Sequence, residues 1–146
     1  MWLIGVITLF IGVWYHYYIR LKNPYDVCLY FGKKGAGKST LIVKQMSYYI
    51  KHPYHRYYDM RTKKWHKEKW HLYSNVDIQG FEDYYTKYDL RDLGTKFIPL
   101  TPSIVWADEI NLVWDNRNWK AFAQGTQDLM RFNRRYRCCH KIVKTT

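Results

Sequence analysis

Cysteine is scarce and poorly spaced for a scaffold. Three occur in 146 residues, Cys28 and the adjacent pair Cys138-Cys139. The odd number and the lack of a C-x-x-C spacing argue against a disulfide framework or a cysteine metal site. Reduced thiols in a cytoplasmic setting are the expectation. Acids are also few: 12 Asp and Glu stand against 24 Lys and Arg, for a formal charge of +12. Histidine offers no metal pattern, since His66 and His71 form no H-E-x-x-H and read as surface or strand residues. Gly and Pro are ordinary and 47% of residues are hydrophobic, which excludes a disordered composition. The length is that of one domain.

What the chain has in excess is aromatic and basic. Aromatics make up 19%, with 15 Tyr and 7 Trp; core, membrane belt and base-stacking surface all fit that composition. The positive charge is uneven. Residues 51–71 hold seven Lys/Arg against two acids, and residues 131–144 hold six against none. Such a balance favours polyanions, either nucleic acid or anionic lipid headgroups, over a merely soluble basic surface.

From Trp2 to Ile19 there is no charged side chain. Eighteen helical residues span about 27 Å, close to the hydrocarbon thickness of a bilayer. Trp14-Tyr15-His16-Tyr17-Tyr18 then forms an aromatic belt, with Arg20 and Lys22 after it. Residues 1–22 therefore read as a single-pass membrane anchor rather than a cleaved signal peptide. The charge bias puts Met1 outside and the remainder, residues 23–146, in the cytoplasm.

The stretch that dominates this second part is Gly32-Lys33-Lys34-Gly35-Ala36-Gly37-Lys38-Ser39, which fits G-x-x-x-x-G-K-[ST]. The apolar run Val27–Phe31 precedes it as a strand, and a helical pattern through residue 51 follows. Strand, glycine loop and helix are the setting in which backbone N–H groups curl around phosphates and a helix dipole adds positive potential. Gly32 through Thr40 are the expected nucleotide contacts. Lys38 reaches the outer phosphates of ATP, and the Ser39 hydroxyl ligates Mg2+.

Leu41, Met46 and Ile50 give the helix its apolar positions, and His52-Pro53 ends it. Residues 54–76 read as a β-hairpin insertion, with Arg56–Asp59 and Trp65–Val76 as its arms. Its cations interleave with Tyr57, Tyr58, Trp65 and Trp70; these rings either stack bases or cover the edge of the core. Phe81–Leu90 is expected as a short helix and Lys96–Leu100 as a short strand.

The run Ile104-Val105-Trp106-Ala107 reads as a buried parallel strand, and Asp108-Glu109 closes it. Catalytic groups sit at the carboxyl ends of such strands. Asp108 falls where the magnesium shell needs a carboxylate, and Glu109 where a general base would polarise water. A strand carrying such a pair is the mark of additional-strand ATPases, as opposed to small-molecule kinases. Trp119–Tyr136 is expected as a helix rich in arginine. Arg131, Arg134, Arg135, Arg137 or Arg117 is a candidate arginine finger acting on a neighbouring subunit, set against a basic helix end favoured by the dipole. Ile142-Val143 marks the fourth core strand.

Gly32–Ser39, Ser74-Asn75-Val76, Trp106–Asn111, Arg117 and the arginine-rich helix running into Lys141–Thr146 together resemble the zonula occludens toxin family, which includes the filamentous-phage assembly ATPase. The resemblance covers about residues 25–146. It implies an α/β, RecA-like additional-strand fold with a mainly parallel sheet, and a membrane-bound, oligomeric ATPase. It further implies extrusion of virions or their single-stranded DNA through the host inner membrane, with other phage assembly proteins as partners. Lys38 and Ser39 would bind ATP and magnesium, with Asp108 and Glu109 as the acidic pair. Two departures stand out. Familiar members carry the membrane segment after the ATPase domain, not before it. Their last core strand leads into a polar sensor and another strand, so residues 1–146 read as a domain incomplete at its carboxyl end. The competing readings are a conjugation- or segregation-type DNA translocase of the same core, and a non-catalytic membrane protein that binds nucleic acid and retains a vestigial ATP site.

Overall fold

A computed structural model describes residues 2–20, 25–59, 61–110 and 123–145. The order of elements is a helix α1 (Trp2–Tyr15) running into a π-turn (His16–Arg20), strand β1 (Val27–Gly32), helix α2 (Lys38–Lys51) and strands β2 (Tyr54–Asp59), β3 (Lys64–Lys69) and β4 (His71–Ser74). A 3-10 turn (Glu82–Tyr84), strands β5 (Thr86–Lys87) and β6 (Ser103–Ala107), helix α3 (Gln124–Arg131) and strand β7 (Cys138–Thr145) complete it.

β1, β7, β6, β4 and β5 lie side by side in that order in one five-stranded sheet, and every pairing is parallel. β7 thus separates the nucleotide-loop strand β1 from β6, which carries the acids. Parallel strands need both faces covered, and the sequence supplies two alternating apolar sets. Ile104, Trp106, Cys139 and Val143 meet Ile42 and Met46 of α2 on one face. Val105, Ala107, Cys138 and Ile142 meet Leu129 of α3 and Leu90 and Leu93 on the other. β6 is buried along its whole length, as its unbroken apolar run requires. β1 alternates exposed and half-buried positions.

α2 has the range its sequence predicts, with Ile42 and Met46 as its fully buried residues. Each such side chain contributes about 1.5–3 kcal/mol of burial. The His52 N–H caps the helix by donating to the Tyr48 carbonyl at 2.9 Å. β2 and β3 form a separate two-stranded antiparallel sheet. The expected arm Trp65–Val76 is split, because Trp70 turns inward and its N–H donates to the Pro53 carbonyl at 2.8 Å, closing the hairpin at its base.

Three expectations are corrected. Phe81–Leu90 is a single 3-10 turn followed by β5, not a helix, and Lys96–Leu100 is a turn whose sole ladder contact is the bridge between Leu93 and Phe97. α3 stops at Arg131, because the Cys138 N–H donates to the Asn133 carbonyl and folds the chain back toward β7. Residues 119–122 of that predicted helix lie outside the described residues. Separately, no helix among the described residues is long and apolar enough to cross a membrane. α1 has 14 residues, about 21 Å at 1.5 Å per residue, and the π-turn interrupts it before the expected run is complete.

Candidate nucleotide site

The loop Gly32–Ser39 sits at the carboxyl end of β1 and opens α2. Gly35 and Gly37 take φ values of 81° and 76°, the left-handed region that a side chain disfavours. Gly37 is also the N-cap of α2, so the first N–H groups of the helix face the loop rather than a capping side chain. Lys38 folds back across the loop, and its Nζ donates to the carbonyls of Gly32 at 2.8 Å and Lys33 at 2.7 Å. An ammonium is thereby held over the cup in which phosphates would lie. Lys33, Lys34, Gly35, Ala36, Ser39 and Thr40 are exposed around it.

Asp108 follows β6 at the same edge of the sheet. It is 7% exposed, and its two oxygens are divided between partners. Oδ2 accepts from the Ser39 hydroxyl at 2.8 Å, and Oδ1 accepts from the Glu109 N–H at 2.8 Å. The structure thus brings together the hydroxyl and the carboxylate that sequence spacing singled out. Side by side, they suit one hydrated divalent cation that would arrive with a nucleotide. Among the described residues no group of three or more His, Cys, Asp or Glu side chains could hold a metal without such help.

Glu109 has φ 52°, uncommon for a residue with a side chain and costly by about 1 kcal/mol. Asn75, just past β4, holds the turn in place. Its Nδ2 donates to the Asp108 carbonyl at 2.9 Å, and its Oδ1 accepts from the Asp108 N–H at 2.8 Å. The two bonds fix the peptide on both sides of the acid. Spacing and composition gave no hint of that clamp; the prior signal was Asn75 within Ser74-Asn75-Val76, among the residues that carry the family resemblance. Glu109 and Asn75 then line a cleft of about 690 Å³ together with Lys87, Tyr88 and Arg91.

The candidate arginines are placed elsewhere. Arg137 immediately precedes β7, at the amino edge of the parallel sheet and thus opposite the nucleotide loop. Its guanidinium is engaged by Glu68, the Tyr25 hydroxyl and the Tyr57 ring. Arg131, Arg134 and Arg135 are exposed on the approach to the same edge. Arg117 lies outside the described residues.

A parallel sheet with a glycine-rich loop at the end of β1 and an inserted strand before the acidic one is an α/β fold of P-loop type. No protein-family model matches the sequence, and no curated protein matches it. Among solved structures, the crystal structure of the N-terminal domain of zonular occludens toxin from Neisseria meningitidis is similar. The TM-score is 0.58 over 83% of this chain, at 16% sequence identity, and the match spans 66% of that domain. At that identity the likeness is one of fold.

Proposed function

We propose that this protein is a membrane-anchored, magnesium-dependent ATPase that drives filamentous-type phage assembly, or the extrusion of DNA, through a bacterial inner membrane. The observation that carries the reading is the bond from Ser39 to Asp108, two side chains distant in sequence that meet at the carboxyl edge of a parallel sheet. In this reading Lys38 leaves the loop carbonyls and binds the outer phosphates. Ser39 and Asp108 would hold a magnesium ion, directly through the hydroxyl and through its water shell at the carboxylate. Such an ion would supply charge neutralisation on the phosphates. Glu109 orients a water and takes its proton, while the amide clamp of Asn75 keeps the Asp108-Glu109 turn rigid. Arg117 is the residue of a neighbouring subunit that completes the site, which makes the active form a homo-oligomer.

Support for the anchor comes from α1. All its side chains are exposed and none is charged. A helix apolar all round needs a cover such as lipid. The anchored protein would keep its nucleotide site on the cytoplasmic side, with single-stranded DNA or a nucleoprotein and other assembly proteins as partners. The similar fold of the toxin domain agrees with the P-loop part of this reading.

ATP turnover by the full chain in detergent tests the proposal. Lys38→Ala should lose nucleotide binding, and Glu109→Gln should retain binding while losing turnover. Full turnover in Glu109→Gln would remove Glu109 from the chemistry. No turnover in the parent chain, with nucleotide altering neither oligomeric state nor DNA affinity, would favour the vestigial site.

A further inference from the structure

The β2–β3 hairpin sorts its side chains into two chemically different faces. Directly paired residues of an antiparallel ladder share a face, and faces alternate along each strand. The pairs His55–Glu68, Tyr57–His66 and Asp59–Lys64 therefore lie on one side, and Tyr54–Lys69, Arg56–Lys67 and Tyr58–Trp65 on the other.

The first side is turned to the body of the protein. His55 stacks on buried Trp70 at 4.0 Å and on Tyr57 at 5.6 Å, Arg137 lies over Tyr57, and Glu68 pairs with Arg137. Both acids of the hairpin, Asp59 and Glu68, are on this side. Tyr57 and Trp70, two of the four rings that sequence alone nominated for bases, are thus occupied as supports.

The second side carries Tyr54, Tyr58 and Trp65 among Arg56, Lys67 and Lys69, with no carboxylate. Tyr54 and Trp65 are 55% and 47% exposed, and the three cations are exposed. The order along β2 is Tyr54, Arg56, Tyr58 and along β3 Trp65, Lys67, Lys69, with neighbours on the face about 7 Å apart at every second residue. Lys67 lies over the Tyr54 ring at 4.6 Å, and Tyr58 meets Trp65 edge-on at 5.5 Å, so the rings stand ordered before any ligand arrives. Arg61 and Lys63 extend the positive charge to the tip.

We infer that this outer face of the hairpin binds a single-stranded nucleic acid, its rings stacking bases and Arg56, Lys67 and Lys69 holding phosphates. The charge selects a polyanion. The absence of any aliphatic side chain on the face favours stackable bases over the hydrocarbon of a membrane. The platform projects from the amino edge of the sheet, between the end of α2 and the start of β4, whereas the nucleotide loop is at the carboxyl edge. Binding there needs no ATP, so the inference stands apart from the proposed hydrolysis.

The experiment measures anisotropy of a fluorescein-labelled thymidine 20-mer with the full chain in detergent and no nucleotide. Trp65→Ala should weaken binding by about 5-fold or more, the loss of one stacked base, and Trp65→Phe should restore most of it. The double variant Lys67→Ala/Lys69→Ala should make the dependence of log K on log salt shallower by about 1.4. Removing Lys44 and Lys96, two cations on other surfaces, should leave both quantities unchanged. Equal affinity in parent and Trp65→Ala, or an equal effect of the Lys44/Lys96 control, overturns the inference. So does a protein that ignores the oligonucleotide yet binds phosphatidylglycerol vesicles through the same lysines, which would make the face a membrane contact. The hairpin variants should keep the parent thermal midpoint, because their altered side chains lie on its outer face.

Discussion

The Ser39 hydroxyl donates to Asp108 Oδ2 at 2.8 Å across 69 positions of chain. Two parallel strands converge to make that contact, because β7 holds β1 and β6 in register: Leu29 lies opposite Ile142, and Ala107 opposite the same residue from the other side. The bond therefore joins the two halves of the site directly.

Asp108→Ala removes the carboxylate but leaves the strand. The magnesium concentration for half-maximal ATP turnover should rise by about 10- to 100-fold, the usual effect of losing an outer partner of a bound metal. A magnesium titration of the steady-state rate reads this directly, and an unshifted curve would exclude Asp108 from metal binding.

Asn75 acts on the same acid through the backbone. Asn75→Ala leaves the Asp108 N–H and carbonyl without their partners in a half-buried place. Unfolding free energy should drop by about 1–3 kcal/mol, measured in urea. Turnover should fall while ATP affinity holds, because Glu109 loses the turn that aims it and the loop Gly32–Ser39 is untouched. A variant with parent kinetics would show that Glu109 is positioned by other groups.

Much of this arrangement was legible beforehand, for reasons that particular residues make plain. The glycine loop, α2 and β6 have local signals that tertiary contacts reinforce: an unbroken apolar run for a doubly buried strand, and Met46 among the helix's apolar positions, although Ile42 rather than Leu41 is the second fully buried residue of α2. The stretch Phe81–Leu90 misled because Phe81, Tyr84, Tyr85 and Tyr88 repeat at helical spacing. Tyrosine has a polar tip as well as an apolar body, and here the tips decide. The Tyr85 hydroxyl accepts from the Ile78 N–H at 2.9 Å, and the Tyr88 hydroxyl donates to the Trp106 carbonyl at 3.0 Å. Those bonds tie an extended chain along β4, where a helix could not reach both. The hairpin's start was readable, but not its end, since Trp70 splits the expected arm, nor which of its rings face outward, since that depends on Arg137 and Trp70 from other parts of the chain. Arg117 lies outside the described residues.

α3 approaches the loop after Leu90 unusually closely. A Cβ added at Gly125 would fall 1.8 Å from the Gly94 carbonyl oxygen, and Gly94 has φ 76°. The neighbouring Thr126 hydroxyl donates to the Leu93 carbonyl at 2.5 Å. Gly125→Ala, normally a gain inside a helix, should here destabilise the fold by about 1–3 kcal/mol through overpacking. Equilibrium unfolding would show a lower midpoint with the same slope. A stabilised variant would mean that α3 does not pack on Gly94 in solution.

His140 makes stability depend on pH. It is 1% exposed on β7, and its Nε2 has no partner among the described residues. Burial pushes its pKa down from 6.5 to about 4, so the folded protein holds it neutral while the unfolded chain takes up a proton below pH 6.5. Its contribution is complete above that value and is lost as pH falls toward 4. Unfolding free energy should be lower at pH 5 than at pH 7 by on the order of 2 kcal/mol. His55, held down to about 4 by burial and by the charge of Arg137, acts in the same direction but more weakly, being half exposed. Asp26 titrates below this window, since the Cys28 and Lys141 hydrogen bonds outweigh burial and lower its pKa. Urea unfolding of His140→Gln should therefore start from a lower stability at pH 7 and lose little more at pH 5. If the variant keeps the full drop, the protons enter elsewhere and His140 binds them alike in the folded and unfolded states.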